Sequence, residues 1–483
     1  MAKGQGQGVL KRGFGPSVAL GAVALLVSHE GVAAEWTITP TVTVGETYSD
    51  NIDLDPNESE TTAFVTEVTP AISIVGNAAR AQAFVNAGLT ARHQTRGDDD
   101  GTQFDVDLAG TATVEAVKEL LFFDARASVS QQVLDNREAR STSNESTVQT
   151  YEASPYLRGH FGDFADGEAR YTFTQFLSNS STVSDSEIHR VDLNLGGGRD
   201  FSRILWTVDL SASKEFRTDE DDIERRDARL DLEYVFARYF SLLGSAGYQF
   251  FDDGNPSNEI EGIVWDAGFR WQPGPRTELR ATYGRHDDNN SARVNFSYQF
   301  SSRTRLIASY AEVLDTSQGQ IGQNLANIGV NQGAGSLINT TTGLAFDPRN
   351  SLSSIRDETT RTKTFRLDVN GSRGRNSFGA GFTIERQDVE PSGDDEDSIA
   401  VTANWGRQLQ RDLNLDLRGS YENTKFSLDG REDHDYIFDG GLSYSLTTNV
   451  NASLSYGYQR RDSNVAAEEY VENSVSINVS MQF

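Results

Sequence analysis

The sequence ends on the stretch SVSINVSMQF, residues 474–483, in which apolar and polar side chains alternate strictly. The apolar set is Val475, Ile477, Val479, Met481 and Phe483. In a β-strand a period of two places each set on its own face. A strand with lipid on one side and a watery lumen on the other needs that division. The stretch therefore predicts the closing strand of a transmembrane β-barrel, and the alternative is a half-buried final strand of a soluble β-sandwich.

The first 34 residues have the three parts of a secretion signal. Basic residues at positions 3, 11 and 12 precede a short apolar core, VALGAVALLV at 18–27, and small residues follow at 32–34. That core is too short to span a membrane as a helix. We expect residues 1–34 to be a signal peptide and residues 35–483 to form the barrel. Because the segment from Trp36 onward already has the pattern of a strand, we expect no plug domain before the first strand.

The composition favours a barrel over a soluble globular protein. Hydrophobic residues make up 37% of the 483 residues and aromatic residues 10%. A soluble chain of this length needs a large apolar core, whereas a barrel needs only an apolar outer surface with aromatic girdles. The formal net charge of −28 excludes nucleic acid as a partner. The absence of cysteine excludes disulfides, thiolate metal sites and cysteine nucleophiles.

Charged residues alternate with apolar residues inside many of the predicted strands. Leu230 and Leu232, for example, flank Asp231, and Leu415 and Leu417 flank Asp416. A charge in such a position cannot face a dry core without a large desolvation cost, but it can face a water-filled lumen. We therefore predict that the following charged residues line the lumen: Asp105, Asp107, Arg126, Arg229, Asp231, Arg280, Arg293, Arg366, Asp368, Asp416 and Arg418.

Short and long connections between these strands follow each other in turn. Ten short connections, such as 237–240 and 408–412, alternate with eleven candidate loops, of which ten are longer and one is a tight bend at 287–291. Outer-membrane barrels have short periplasmic turns, long extracellular loops and an even number of strands. The predicted fold is thus an all-β, antiparallel transmembrane barrel of about 22 strands, within a range of about 20 to 24.

The connection at 315–358 is far longer than the others. It is almost uncharged between Asp315 and Asp347, and it carries eight spaced aliphatic or aromatic side chains. Long connections in compact domains are usually lids, binding loops or disordered segments. Two interpretations stay open: a loop folded into the pore as a constriction, and an extracellular loop packed on its neighbours.

No residue pattern indicates catalysis or a cofactor. The acidic runs Asp98–Asp100, Asp219–Asp222 and Asp394–Asp397 lack the ligand spacing of an EF-hand. We interpret them as solvated loop tips, with Ca²⁺ or Mg²⁺ binding as the weaker alternative. His286 and His434 each stand beside aspartates, but a hydrolase needs such groups to converge in space.

The opening of the predicted barrel resembles a known family. Residues 36–54, WTITPTVTVGETYSDNIDL, and 64–76, FVTEVTPAISIVG, are similar to the first strands of outer-membrane barrels associated with PEP-CTERM/exosortase systems. The aromatic C-terminus also resembles the last strand of bacterial outer-membrane barrels. The resemblance implies a barrel in the Gram-negative outer membrane that serves exopolysaccharide export or surface assembly. It carries no catalytic or binding residues to this chain.

Two classes of function remain. The first is a conduit that passes a hydrophilic polymer or oligosaccharide, with a general diffusion porin as a variant. The second is a non-transporting surface scaffold or adhesin. The expected partners are outer-membrane lipid, lipopolysaccharide and the barrel assembly machinery, and the resemblance adds polysaccharide and export-complex proteins.

Overall fold

The computed structural model of the protein describes residues 35–483, apart from 99, 142–143, 181, 219, 256–258, 332–335, 341–344, 347, 349–351, 353 and 390–392. The predicted signal peptide, residues 1–34, lies outside the described residues. Among the residues described, no helix is long and apolar enough to cross a membrane.

Twenty-two strands form one sheet in which every pairing is antiparallel. Neighbours in the chain are neighbours in the sheet, and the first and last strands pair with each other, so the sheet closes into a barrel. The predicted all-β barrel and its strand number are confirmed. The barrel strands are β1 (Glu35–Ser49), β2 (Ala63–Ala78), β3 (Ala81–Gln94), β4 (Gly101–Val117), β5 (Leu121–Val133), β6 (Glu145–Phe161), β7 (Ala165–Ser178), β8 (Ser186–Gly197), β9 (Ile204–Arg217), β10 (Ile223–Ala237), β11 (Phe240–Asp252), β12 (Ile260–Gly274), β13 (Thr277–His286), β14 (Asn289–Ser301), β15 (Thr304–Asp315), β18 (Thr360–Arg373), β19 (Asn376–Val389), β20 (Glu396–Gln408), β21 (Leu413–Phe426), β22 (Glu432–Ser445), β23 (Val450–Ser463) and β24 (Tyr470–Gln482).

The alternation of side chains along each strand gives the barrel an apolar outside and a polar inside. In β10, for example, Leu230, Leu232 and Tyr234 are about 40% exposed on the outer face. Arg229 and Asp231 point the other way and pair with each other. Closure leaves no free edge strand, so each backbone group in the wall finds its partner in a neighbouring strand.

The seam between β1 and β24 joins the two ends of the described chain. Thr43 pairs with Ser480 through their hydroxyls at 3.1 Å, and the Thr47 and Ser476 hydroxyls are 2.8 Å apart, both on the inner face. The closing signature lies on the outer face, where Val475, Ile477, Val479, Met481 and Phe483 are 42% to 65% exposed. The backbone N–H of Phe483 donates to the carbonyl of Pro40 at 3.0 Å, which ties the terminus to β1.

Short turns and longer loops alternate along the chain, as predicted. The shortest loop, between β13 and β14, holds Asp287 and Asp288 with φ angles of 47° and 58°. Two consecutive positive φ angles are typical of the tight hairpin turn that matches the twist of the flanking strands. In the longest connection, residues 316–359, the described part contains the helix α1 (Ser317–Ala326) and a small hairpin formed by β16 (Ile328–Asn331) and β17 (Ser336–Asn339).

Candidate functional site

The lumen is the candidate functional site, and its wall carries paired charges. Asp105 on β4 lies 3.3 Å from Arg92 on β3. On β10, Arg229 reaches Asp231 at 2.9 Å and Asp266 of β12 at 2.7 Å. Arg126 on β5 pairs with Glu152 on β6. These pairs lie within one strand or between strands at most two apart in the sheet, so they brace the wall without reaching across the lumen.

The remaining predicted lumenal residues occupy the same inner face. Arg280 borders a small cavity of about 210 Å³ that Arg229 and Asp231 also line. Arg293 lies opposite Thr282 in the register of β13 and β14. The other five alternate with outward apolar residues on β4, β18 and β21: Asp107, Arg366, Asp368, Asp416 and Arg418. All eleven therefore belong to the inward-facing set of their strands.

A denser cluster of charged and aromatic side chains, which the sequence pattern does not reveal, lies on the wall of β5, β6 and β7. Arg170 donates to Asp124 at 2.9 Å and to Glu168 at 2.9 Å. Its guanidinium lies 3.7 Å from the centre of the Tyr156 ring, which stacks at 5.1 Å on Phe122. Asp124 and Arg126 stand two positions apart in the sequence, which places them on one face of a strand. That spacing predicts that Asp124 and Arg126 share a face. It does not reveal their partners on β6 and β7, because those residues are distant in the sequence.

The inner face is buried at its extracellular end and open at its periplasmic end. Inward residues near the loops, such as Ser49, Thr360 and Glu396, are 0% exposed. Inward residues nearer the short turns, such as Arg280 and Arg418, are exposed. A hollow barrel would leave both ends wet, so material from the protein itself fills the extracellular half of the lumen.

Helix α1 supplies part of this filling. Ile321 packs against Val148 of β6 and Phe176 of β7, two buried side chains that point into the barrel. Thr316 caps the helix by accepting from the N–H of Gly319 at 3.0 Å. The same hydroxyl donates to Glu215 on the inner face of β9 at 3.4 Å. The long connection thus leaves β15, crosses the mouth and rests on the wall formed by β6, β7 and β9.

The end of the long connection returns along a second set of contacts. The N–H of Ile355 donates to the carbonyl of Leu134 at 2.9 Å. Ser354 donates its N–H to Glu396 at 3.1 Å. The backbone N–H of Ser184 donates to the Asp357 carboxylate at 3.0 Å. These contacts involve the loops after β5 and β7 and the start of β20. Residues 354–359, which we call the return segment, therefore span the mouth as well.

Four charged residues hold the return segment, and we call them the loop clasp: Arg137, Arg356, Asp394 and Glu396. Arg356 donates to Asp394 at 2.7 Å and also to Glu396, and Arg137 donates to the other oxygen of Asp394. Burial alone would raise the pKa of Asp394, but the hydrogen bonds and charges of Arg356 and Arg137 outweigh burial and hold that pKa below its ordinary value. The ion pair of Arg356 and Asp394 therefore stays charged at neutral pH.

The loop between β5 and β6, residues 134–144, completes the closure from the opposite side. Arg140 donates to Glu422 on β21 at 2.8 Å. Arg461 on β23, which is 1% exposed, donates to the backbone carbonyl of Glu138 at 3.1 Å. Burial lowers the pKa of Arg140, but the charges of Glu422 and Asp435 outweigh it and raise that pKa above its ordinary value. Two loops from opposite walls therefore meet over the lumen.

The acidic runs and the histidines have structural partners. Asp394 and Glu396 are part of the clasp and are not solvated tips, while Asp99 and Asp219 lie outside the described residues. Across the described part of the chain, no three metal-binding side chains of His, Asp or Glu come together. His286 contacts Asp266 at 2.9 Å inside the barrel, whereas His434 contacts the Tyr421 hydroxyl at 2.9 Å on the outer face. The two histidines do not converge.

Comparison with known proteins supports the assignment of this barrel. Residues 383–483 match the sequence profile of a family described as "Putative beta-barrel porin 2". A search of curated proteins with the sequence found no match. The matched segment contains half of β19 and the strands from β20 to β24, which include the closing signature.

Solved structures with the same fold include iron-transport receptors of Gram-negative bacteria. The ferric-catecholate import receptor Fiu from E. coli K12 aligns with a TM-score of 0.52 at 9% identity, over 92% of this chain and 82% of that one. The FrpB iron transporter from Neisseria meningitidis aligns with a TM-score of 0.51 at 11% identity, over 92% and 81%. At such identities the likeness concerns the fold alone. Together with the closed sheet, the apolar outer face and the porin-family match, it leads to one conclusion: the protein is a porin-like β-barrel of the Gram-negative outer membrane.

Proposed function

We propose that the protein is a conduit for hydrophilic solutes whose extracellular mouth is closed by its own loops. One observation carries this proposal. Inward-facing side chains are buried at the loop end of the barrel and exposed at the turn end, and the material that buries them is α1, the return segment and the loop at 134–144. A lumen that is open to the periplasm and shut outside fits a channel at rest.

The open periplasmic end favours export over uptake, and a saccharide polymer is the cargo that we propose. The resemblance of residues 36–54 and 64–76 to barrels of exopolysaccharide systems supports this choice. The wall on either side of the seam supports it as well, because Thr43, Thr47, Ser476, Asn478 and Ser480 offer hydroxyl and amide groups that can hydrogen-bond sugar hydroxyls. Outer-membrane lipid, lipopolysaccharide, the assembly machinery and export-complex proteins are the partners proposed with it.

The aromatic cluster around Tyr156 on β5 and β6 cannot bind a sugar by stacking. Tyr156 is only 4% exposed, because Phe122 covers one side of its ring and Arg170 lies over the ring as well. A sugar ring has no free aromatic face there. Any saccharide would be held by hydrogen bonds and not by a stacking platform.

A surface scaffold is the second candidate, and the loop clasp is the observation that favours it. Arg356 is 15% exposed and Glu396 is 0% exposed, so the closure uses well-buried ion pairs. A barrel that never opens needs such a permanent plug, whereas a channel needs one that can release. The two candidates therefore differ in whether removing the plug produces a pore.

Planar-bilayer conductance separates the candidates. In the test variant a short Gly-Ser linker replaces residues 318–345, which removes α1 and the β16–β17 hairpin. We expect a severalfold higher single-channel conductance and passage of larger neutral sugars, because the apolar filling against Val148 and Phe176 is gone. Shortening the β1–β2 loop at residues 56–60 serves as the control. The same replacement combined with Arg356→Ala also releases the return segment. An unchanged conductance and size limit in both properly folded variants would contradict the conduit and leave the scaffold.

A further inference from the structure

Four polar side chains on the inner face of β13 and β14 form a patch with two positive charges and no negative one. Arg280 lies opposite Asn295, and Thr282 lies opposite Arg293, in successive inward rows of the two strands. In an antiparallel pair, opposite Cβ atoms lie about 5 Å apart and diagonal ones about 7–8 Å apart. The four side chains therefore border one small area of the wall, which we call the β13–β14 patch.

The β13–β14 patch is open to the lumen and has no partner within the described chain. Arg280, Arg293 and Asn295 are exposed, and Thr282 is half-buried. None of these four side chains forms a hydrogen bond or an ion pair with any residue that the structure describes. Other arginines on the inner wall, in contrast, are paired with carboxylates: Arg126, Arg170 and Arg229. Two guanidinium groups, an amide and a hydroxyl thus remain available to a ligand.

The carboxylate beside the patch on β13 is already engaged. Glu278 lies two positions before Arg280 on the same face, but Arg270 of β12 donates to it at 2.9 Å. Arg270 itself lies directly opposite Arg280. Arg280 therefore has one arginine opposite and Arg293 on the diagonal, and like charges at such close positions are destabilising. An anion bound at the patch would offset that cost.

The wall on either side of the patch also favours a negative ligand. On the β12 side, Asp231 and Asp266 border a cavity together with Arg280, but both pair with Arg229. On the β15 side, the sequence has no acidic residue from 289 to 311, a stretch that contains three arginines. Because the lumen is open at its turn end, a solute from the periplasm reaches the patch without passing the plug.

We propose that the β13–β14 patch binds a carboxylate group of an acidic saccharide. This inference rests on the proposed conduit for saccharides and adds the charge of its cargo. The planar fork of each arginine can donate two parallel hydrogen bonds to a carboxylate, and the Asn295 amide and the Thr282 hydroxyl can donate as well. Ser297 and Ser309, on the same face, offer hydroxyls to the neutral part of the sugar.

Isothermal titration calorimetry with the full protein in detergent tests the patch, with trigalacturonate as the probe, maltotriose as a neutral saccharide and inorganic phosphate as a small anion. The test variant carries Arg280→Gln and Arg293→Gln. The control variant carries Arg238→Gln and Arg375→Gln, which remove the same charge from exposed positions in two short turns. We expect saturable trigalacturonate binding that weakens about tenfold in the test variant and stays unchanged in the control. Maltotriose and phosphate should each bind about tenfold more weakly than trigalacturonate.

A second variant, Arg280→Lys with Arg293→Lys, separates a shaped site from a general positive field. It keeps both charges but removes the planar forks, so we expect trigalacturonate to bind about threefold more weakly. Because both positions are exposed, all variants should stay heat-modifiable on gels.

Several results would overturn the proposal. Equal losses in the test and control variants, or full binding by the lysine variant, would mean that only a general field attracts the probe. Equal binding of trigalacturonate and maltotriose would mean that the carboxylate is not recognised, and tighter binding of phosphate would mean a site for small anions. Binding is measured without transport, so a failure here leaves the conductance test of the conduit unaffected.

Discussion

At the residue scale, the closed mouth depends on arginine side chains that leave one loop and find carboxylates on another element. Arg356 comes from the return segment, Asp394 from the loop before β20, and Glu396 from the first residue of β20. Removing one partner of a buried pair leaves a charge without compensation, which costs more than the pair itself contributes. The clasp is therefore the most sensitive point of the closure.

Arg356→Ala should release the return segment. Glu396 would keep its charge in a fully buried position, so the closed arrangement should lose about 3 kcal/mol, or about 100-fold in the equilibrium between closed and open mouths. Single-channel recordings should then show frequent openings. Arg386→Ala is the matched control, because Arg386 is 52% exposed and pairs with Asp388 outside the clasp. Recordings that look alike for both variants would exclude a role of the clasp in closure.

The clasp should survive mild acid. The folded protein holds the pKa of Asp394 below its ordinary value of 3.8. A lowered carboxylate pKa adds stability that is complete above the unfolded pKa and is lost as pH falls through the folded value. Conductance should therefore be the same at pH 7 and pH 5 and rise only below about pH 4. Opening midway between pH 7 and pH 5 would show that another group controls the mouth.

At the element scale, α1 combines an ordinary helix start with an unusual environment. Thr316 provides the cap, and the helix buries Leu325, which is 1% exposed, within the barrel. Its last turn carries no basic side chain and its first turn no acidic one. Charged groups on α1 therefore contribute little to its docking. The docking combines burial of Leu325 with hydrogen bonds from Gln318 to Asp357 and from Gln320 to Thr362.

Leu325→Asp should undock the helix. A carboxylate at this buried site costs several kcal/mol unless the helix moves into water. We expect a protease to cut the 316–359 connection faster in this variant while the barrel stays heat-modifiable on gels. Ala326→Asp is the control, since Ala326 is exposed on the same helix. Equal cleavage rates for the two variants would mean that α1 is not held by its apolar face.

At the scale of the whole molecule, the mixed lumen and the acidic mouth act together on ion flow. In the lumen, positive and negative side chains form pairs, such as Arg229 with Asp231 and Arg126 with Glu152. The cavity at the extracellular mouth, which the return segment borders, instead has an excess of carboxylates among its described residues. Paired charges select weakly and a mouth of one sign concentrates counterions. The molecule should therefore prefer cations only modestly.

We expect the channel opened by replacing residues 318–345 to favour cations about two- to fivefold at low salt. The preference should fade as salt rises, because the Debye length shrinks from about 10 Å at 0.1 M to about 3 Å at 1 M. Reversal potentials across a KCl gradient measure it. Strong anion selectivity at low salt would contradict this prediction. It would show that the lumenal arginines, and not the carboxylates at the mouth, determine the ion selectivity of the channel.

The alternation of residues by itself determined most of the barrel. Period-two patterns identified the strands and the inward face, and the turn and loop lengths led to 22 strands, because each of these signals is local. The residues of the closing signature and the inward charges on β4, β5, β10, β13, β14, β18 and β21 could be named in the same way. Local pattern does not reveal which inward charges pair, so the cluster of Asp124, Tyr156 and Arg170 went unseen.

Only the tertiary structure decided how the mouth closes. From the sequence, the 315–358 connection was equally compatible with a constriction and with an external loop, and the run at Asp394–Asp397 read as a solvated tip. In the folded barrel, Ile321 reaches Val148 and Phe176, more than a hundred residues away, and Arg356 reaches Glu396. Such contacts depend on the curvature of a closed sheet, which brings opposite walls within reach of one loop. No local pattern encodes that distance.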